Sequence, residues 1–356
     1  MRLLVTGGAG FIGSAVVRLA ISRGLEVVTV DALTYCGSRE NLETVAYARG
    51  HSFIRADVTD RDAISDILAR HQPDVVFHLA AETHVDRSID DPLLFVRTNV
   101  LGTATLLECL RAYRDLLPGV RADALRLIHV STDEVFGSLG ADGCFDETSP
   151  YRPNSPYSAS KAGADHLARA WGRTYGLPVV VTNCSNNYGP YQYPEKLIPV
   201  AILAAVEGRP IPVYGRGDNV RDWLFVEDHA EALLRVAEWG RPGETYCIGG
   251  GAETSNRALV EQICDQVDAA LPGARRRDLI TYIADRPGHD FRYAIDPAKM
   301  RDQLAWRPRT PLREGLARTI RWYLDNPDWW TRARARAAAG APDAVEHARW
   351  VGGPSL

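Results

Sequence analysis

The stretch Leu3-Leu4-Val5-Thr6-Gly7-Gly8-Ala9-Gly10-Phe11-Ile12-Gly13 decides how the rest of the chain is read. A short apolar strand runs into G-x-x-G-x-x-G, and a helical pattern begins at Phe11. Small residues at Gly7, Gly10 and Gly13 let the backbone approach a pyrophosphate. The helix start at Phe11 and Ile12 adds N–H groups and the positive end of a helix dipole. A second apolar strand ends at Asp31, 18 residues beyond Gly13. A carboxylate there accepts both ribose hydroxyls of NAD and repels the 2′-phosphate of NADP, so the expected cofactor is NAD. Leu33 and Thr34 after that acid, Asp57 and Val58 after the third strand, and Ala80, Ala81 and Thr98 complete the expected cofactor set.

Working outward, apolar strands are expected at 3–6, 27–30, 52–55, 75–78, 127–131 and 179–182, with helical patterns starting at Phe11, Arg61, Leu94 and Tyr157. That alternation predicts an α/β fold, a Rossmann-type doubly wound parallel sheet. After Asn183 turns crowd in, at Tyr188-Gly189-Pro190, Gly215-Arg216-Gly217-Asp218 and Gly249-Gly250-Gly251. They predict a smaller, irregular α/β domain over the carboxyl edge of the sheet, where ligands of open α/β folds bind. The expected division is a cofactor domain over 1–185 with a return segment near 222–240, a substrate domain over 186–330, and a loose Ala/Arg/Gly/Pro-rich tail over 331–356.

Bulk properties narrow the function. A net charge of −4 gives no reason to expect nucleic acid as a partner. No apolar run is expected to span a membrane, and the N-terminal stretch is too short and wrongly flanked for a signal peptide. Six scattered cysteines without a C-x-x-C pair point to reduced thiols and a cytoplasmic setting. His78 and His84 lack a third ligand at a recognised spacing, so no metal is expected. Only Lys161, Lys196 and Lys299 are lysines, which draws attention to each.

Two motifs carry the chemistry. Tyr157-Ser158-Ala159-Ser160-Lys161 sets a phenol and an ammonium one helical turn apart. A tyrosine titrates near ~10 when free, and a cation at about 4 Å is worth up to ~4 kcal/mol, or about three pKa units. Tyr157 would then take a proton from a sugar hydroxyl as hydride leaves. Ser131-Thr132-Asp133-Glu134 places two carboxyls side by side directly off the fifth strand. In a continuing strand they would face opposite ways, so both reach one ligand only if the chain turns after Thr132. Two acids over one ligand repel, and one stays protonated while the other ionises. That is the division of labour a β-elimination requires.

These motifs resemble the NAD-dependent sugar-nucleotide dehydratases of the extended short-chain dehydrogenase/reductase family. The likeness runs over about residues 1–330. It includes His78-Leu79-Ala80-Ala81-Glu82-Thr83-His84-Val85-Asp86-Arg87-Ser88, Asn183-Cys184-Ser185-Asn186-Asn187-Tyr188-Gly189-Pro190, Pro194-Glu195-Lys196-Leu197-Ile198-Pro199, Arg221-Asp222-Trp223 and Arg286-Pro287-Gly288-His289-Asp290. The resemblance implies dehydration of a nucleotide-glucose, with dTDP-glucose the expected substrate. Tyr157, with Thr132 and Lys161, would serve C4 oxidation; Glu134 would remove the C5 proton as Asp133 protonates the departing C6 hydroxyl; hydride would return to C6. It also implies substrate contacts at Thr83, His84, Asn186, Lys196, Leu197, Pro212, Tyr214, Arg221, Asn256, Arg286 and His289, and a homodimer packed through the long helices after Leu94 and Tyr157. Thr83, Ala32 and Phe136 depart from the family's usual residues. A 4-epimerase or decarboxylase on the same fold, or a dehydratase for another nucleotide-sugar, is the alternative; an epimerase has no need of Asp133 beside Glu134. An NAD sensor without catalysis would have lost one of these groups.

Overall fold

A computed structural model of the chain describes residues 1–340. Strands β1 (Arg2–Thr6), β2 (Glu26–Asp31), β3 (His51–Arg55), β4 (Val75–His78), β5 (Arg126–Thr132) and β6 (Val179–Cys184) come first in the chain. β7 (Asn186–Tyr188), β8 (Ile211–Tyr214), β9 (Val220–Phe225), β10 (Thr245–Ile248), β11 (Glu253–Ser255) and β12 (Ile280–Ile283) follow. Seven of them form one parallel sheet in the order β10-β6-β5-β4-β1-β2-β3. Its inner strands, rich in Val, Leu and Ile, are buried on both faces, as a sheet covered by helices on each side requires.

The helices divide between the two faces. Ala15, Val16, Val17 and Ala20 of Phe11–Ser22 join Ala230, Leu233, Leu234 and Ala237 of Val226–Trp239 in one core. On the other face Ile64 and Ile67 of Arg61–His71 meet Leu106, Leu107 and Leu110 of Gly102–Asp115 and Ala168 of Pro156–Tyr175. The strand order reverses between β1 and β4, and the crevice above such a reversal is where α/β folds bind ligands. The loops leaving β1, β4 and β5 carry Gly7, Ala80 and Asp133 to that crevice.

Beyond β6 a three-stranded sheet, β11-β9-β7, and a β8–β12 pair pack with helices Leu197–Glu207, Asn256–Ala270 and Leu312–Asp325 around a second core. The segment that returns to the main sheet lies slightly later than 222–240. Residues 222–225 belong to β9, whereas helix Val226–Trp239 and strand β10 complete the cofactor side.

Two expectations change. The loose tail from Thr331 begins inside a helix, Pro327–Gly340, in which Trp329 and Ala333 are buried and Tyr193 donates to the Ala333 carbonyl at 3.1 Å. Alanine and arginine are strong helix formers, proline suits a first turn, and two tryptophans supply a packing face. Residues 341–356 of that tail lie outside the described residues. The helical run Pro92–Asp115 is also long and apolar enough, by length and composition, to cross a membrane; 44% of its most apolar window is buried within the protein.

Candidate active site

Gly7 adopts φ +67°, and a Cβ there would stand 2.6 Å from the Ala80 amide nitrogen. A Cβ on Gly13 would strike the Gly7 carbonyl, so this helix can begin beneath the loop only with glycine. Gly10 caps helix Phe11–Ser22 without a side chain, so no side chain covers its first-turn amides. Asp31 is buried, with one carboxyl oxygen accepting from Ala9 N at 2.9 Å and the other from Leu33 N at 2.8 Å. A carboxylate has about four acceptor positions, so both oxygens retain capacity for ribose hydroxyls. Burial raises its pKa while these two N–H bonds pull it down. The cradle and the acid fit a dinucleotide. At the far side, the Asp57 carboxyl accepts from Thr59 N and Oγ1 at 2.8 Å, closing the turn after β3, with Val58 packed beneath Gly102. Thr98 lies in a π-helical turn, Val96–Leu101.

The turn that two facing acids demand is present. β5 ends at Thr132, and Asp133–Phe136 form a single 3-10 turn capped by Thr132, whose Oγ1 accepts from Glu134 N at 3.3 Å. Asp133 is buried, receives the Thr132 hydroxyl at 3.2 Å on Oδ1, and has no partner for Oδ2 among the described residues. Burial holds its carboxyl well above the usual range, and the Glu134 charge pushes the same way. Burial also raises Glu134, but Arg286, Arg221 and Lys196 oppose it. The two acids thus sit in unlike surroundings: Asp133 is biased toward holding a proton, and Glu134 is flanked by cations.

Tyr157 stands in the first turn of Pro156–Tyr175. Ser155 and Ser158 form a capping box there, with reciprocal bonds of 3.1 and 3.0 Å, and Pro156 pre-sets the helical entry. Phe95 packs edge-on against the Tyr157 ring at 6.3 Å. Lys161 donates to the Val130 carbonyl at 2.8 Å. The lowering of the phenol expected from Lys161 does not prevail: burial, reinforced by Glu134, holds Tyr157 well above its ordinary pKa. Lys161 itself is lowered by burial, with Asp165 opposing.

Of the residues expected to contact substrate, Arg286, Arg221 and Lys196 act electrostatically on Glu134. Lys196, the cap of helix Leu197–Glu207, donates to the Thr83 carbonyl at 2.9 Å, and His84 Nε2 lies 3.9 Å from Glu195. Arg221 is buried on β9, donates to the carbonyls of Val220 (2.8 Å) and Asp290 (2.9 Å), and lies over the Tyr293 ring at 4.4 Å. Asp86 accepts from both Arg286 (3.2 Å) and the Tyr214 hydroxyl (3.2 Å), and Tyr214 meets His289 edge-on at 6.0 Å. His289 is held by Asp285 at 2.6 Å, and Pro212 shares β8 with Tyr214. Asn186 Oδ1, Asn256 Oδ1 and Arg286 Nε are buried without hydrogen-bond partners among the described residues. Buried polar atoms are rarely left so, and orphans at expected contact positions suit a polar ligand.

Three supporting residues have no role in the reading of motifs, although Asn183 opens one of the quoted stretches. Asn99, in the π-turn, bonds the Glu82 backbone through N–H (2.9 Å) and C=O (3.0 Å) and also reaches Ser160 at 2.8 Å, tying the β4 loop to the Tyr157 helix. Asn183 donates to the Thr132 carbonyl at 3.0 Å. Asp165, four residues beyond Lys161, joins His129 (3.0 Å) and Tyr151 (2.7 Å) beneath the site. The only signal for them is a polar side chain on an otherwise apolar face. His78 is not a ligand: its ring bonds Thr6 at 2.8 Å and Thr103 at 2.9 Å.

With this geometry in place, comparison with known proteins is decisive. The family model described as GDP-mannose 4,6 dehydratase matches residues 4–319. The chain belongs to that family. Within it, a curated dTDP-glucose 4,6-dehydratase 1 of Escherichia coli K12 is 52% identical over 348 residues, 95% of this chain and 96% of that one. The dTDP-glucose 4,6-dehydratase of Streptomyces venezuelae, solved with NAD bound, superposes with a TM-score of 0.86 at 45% identity, covering 94% of this chain and 100% of that one. A UDP-glucose 4-epimerase of Thermotoga maritima, the type of enzyme that stood as the rival reading, is 30% identical with a TM-score of 0.81, covering 92% of this chain and 100% of its own. The dehydratase family therefore extends over nearly the whole chain, including both the cofactor cradle and the paired acids.

Proposed function

We propose that this chain dehydrates dTDP-glucose to dTDP-4-keto-6-deoxyglucose. The observation that carries the reading is the single 3-10 turn that sets Asp133 and Glu134 side by side next to Tyr157, with burial raising both carboxyls and three cations offsetting part of the rise at Glu134. A hydroxyl oxidation alone needs only the tyrosine; the added proton donor and acceptor serve loss of water. NAD, when bound by the glycine loop and Asp31, supplies a hydride acceptor for C4, a hydride donor for C6 and a positive ring that favours the Tyr157 phenolate.

Tyr157 accepts the C4 hydroxyl proton, and Thr132 orients that oxygen. The resulting C4 ketone acidifies C5. Glu134, whose carboxyl burial raises and Arg286, Arg221 and Lys196 partly pull back, removes the C5 proton. Asp133, held protonated by burial, gives its proton to the departing C6 hydroxyl. Lys161 and Asn183 fix Tyr157 and Thr132 rather than touching the sugar. Arg221 and Arg286 serve the diphosphate, for which planar guanidinium groups offer paired donors. Asn186, Asn256, Lys196, Leu197, Pro212, Tyr214, Thr83, His84 and His289 hold the sugar and nucleoside in the lobe of residues 186–330. Thymidine is the proposed base because the relatives act, by name, on dTDP-glucose.

We further read the protein as a cytoplasmic homodimer. Support for the dimer comes from Leu93, Val96 and Leu101, exposed on the apolar run Pro92–Asp115. A second copy of this helix would cover them, and core helices of soluble dimers share this composition. Six unpaired cysteines agree with a reducing compartment. The test of function is incubation with dTDP-glucose, UDP-glucose and GDP-mannose, with products followed by mass spectrometry. Loss of one water from dTDP-glucose is expected; unchanged mass with C4 epimerisation would sink the dehydratase reading.

A further inference from the structure

The C-terminal helix Pro327–Gly340 is far from the reacting atoms in sequence, yet it reaches the cofactor loop through two hydrogen bonds in series. The Trp329 indole N–H donates to Asn41 Oδ1 at 2.9 Å, across 288 residues of chain. The other end of the same amide, Asn41 Nδ2, donates at 2.8 Å to the carbonyl of Ala9, between Gly8 and Gly10. That carbonyl also receives Ser38 N at 3.0 Å, and Ala9 N is bound to Asp31. The Asn41 carbonyl in turn accepts from Arg18, on the helix that the glycine loop begins, at 2.6 Å. Asn41 and Trp329 are both buried.

This arrangement fixes which way the Asn41 amide points. Oδ1 must face the indole, a donor only, and Nδ2 must face Ala9 O, an acceptor only. Without the indole donor one of the two contacts that orient the amide is gone, and Oδ1 is left buried without a partner. We propose that Trp329 and Asn41 are positioning residues through which the C-terminal helix holds the 32–45 strap and the glycine loop closed on NAD between turnovers. Four further contacts run the same way. Arg332 and Arg336 pair with Glu40 on the strap, Tyr35 donates to Glu195 at 2.8 Å, and Tyr193 donates to Ala333 O. The helix thus joins the strap on the cofactor side to the 191–196 loop that carries Lys196. Retention suits the proposed reaction, which regenerates its cofactor in each cycle; the inference rests on that reading only in taking NAD as the ligand.

The test compares Trp329→Phe, which keeps an aromatic ring but removes the donor, with Trp330→Phe. Trp330 makes the same type of bond on the same helix, but to Tyr323 O at 3.1 Å and away from the strap. The enzyme is loaded with labelled NAD and chased with unlabelled NAD. Trp329→Phe should release NAD roughly fivefold faster or more, as expected for one buried hydrogen bond lost. Its kcat at saturating NAD should stay near that of the unaltered enzyme, and Trp330→Phe should release NAD at the unaltered rate. Equal release from Trp329→Phe and unaltered enzyme overturns the proposal. So does equal acceleration by both substitutions, which would mean packing alone. Should Trp329→Phe not fold, Asn41→Asp, which deletes the donor to Ala9, replaces it under the same criteria. If the unaltered enzyme holds no NAD, the cofactor assignment fails instead.

Discussion

The catalytic task proposed for Asp133 comes with a stability cost. Its carboxyl is raised far above the ordinary range by burial and by Glu134. A carboxyl with a raised folded-state pKa binds its proton more tightly folded than unfolded, so stability falls as pH climbs from the ordinary carboxylate value, ~4, toward the folded value. Asp133→Asn should therefore raise Tm at neutral pH, and the gain should vanish below pH ~4, where both states are protonated. Thermal melts across pH check this; a destabilised variant at neutral pH would contradict it. The same substitution should leave C4 oxidation intact, visible as transient cofactor reduction, while water loss slows ~10²–10⁴-fold. Asp31→Asn should weaken NAD binding roughly ten- to hundredfold and narrow the preference over NADP, measured by titration with each. The identity of these residues was legible because each follows a strand at a chemically telling position. Their protonation was not: Tyr157 was expected to be lowered by Lys161, whereas burial, a property of the assembled site, prevails in the protein alone.

The 3-10 turn after Thr132 is the element on which the chemistry hangs, and Gly137 ends it at φ +87°. A Cβ there would collide with the Arg152 carbonyl, which lies on the segment leading to Tyr157. Gly137→Ala should lower stability by ~1–3 kcal/mol in chemical denaturation and reduce turnover with it. The need for this turn could be stated from sequence, since two adjacent acids cannot otherwise face one ligand. Other elements were illegible for physical reasons. The π-turn at Val96–Leu101 reads as ordinary helix because one extra residue leaves the apolar pattern nearly intact. β7 and β11 are three residues long and exist through pairing with β9, which no local pattern announces. Helix Pro327–Gly340 looks like a tail by composition, yet Trp329 and Ala333 anchor it.

At the scale of the molecule, the six strands expected from apolar runs all lie in the main sheet, and the order reversal beside β1 brings three strand-end loops to one crevice. β10, arriving between segments of the second lobe, was harder to foresee, because it joins the sheet through a long excursion of chain. The apolar face at Leu93 and Leu101 predicts a dimer in light scattering, and Leu101→Glu should shift it toward monomer; an unaltered monomeric state would remove the proposed interface. The most direct measurement for the whole reading is stopped-flow and mass analysis of the purified enzyme with dTDP-glucose. The expected result is a 4-keto-6-deoxy product lighter by one water, formed with no net consumption of NAD. Asp133→Asn should stall after oxidation. Conversion to a C4 epimer without water loss, or unchanged dehydration by Asp133→Asn, would contradict the roles assigned to the paired acids.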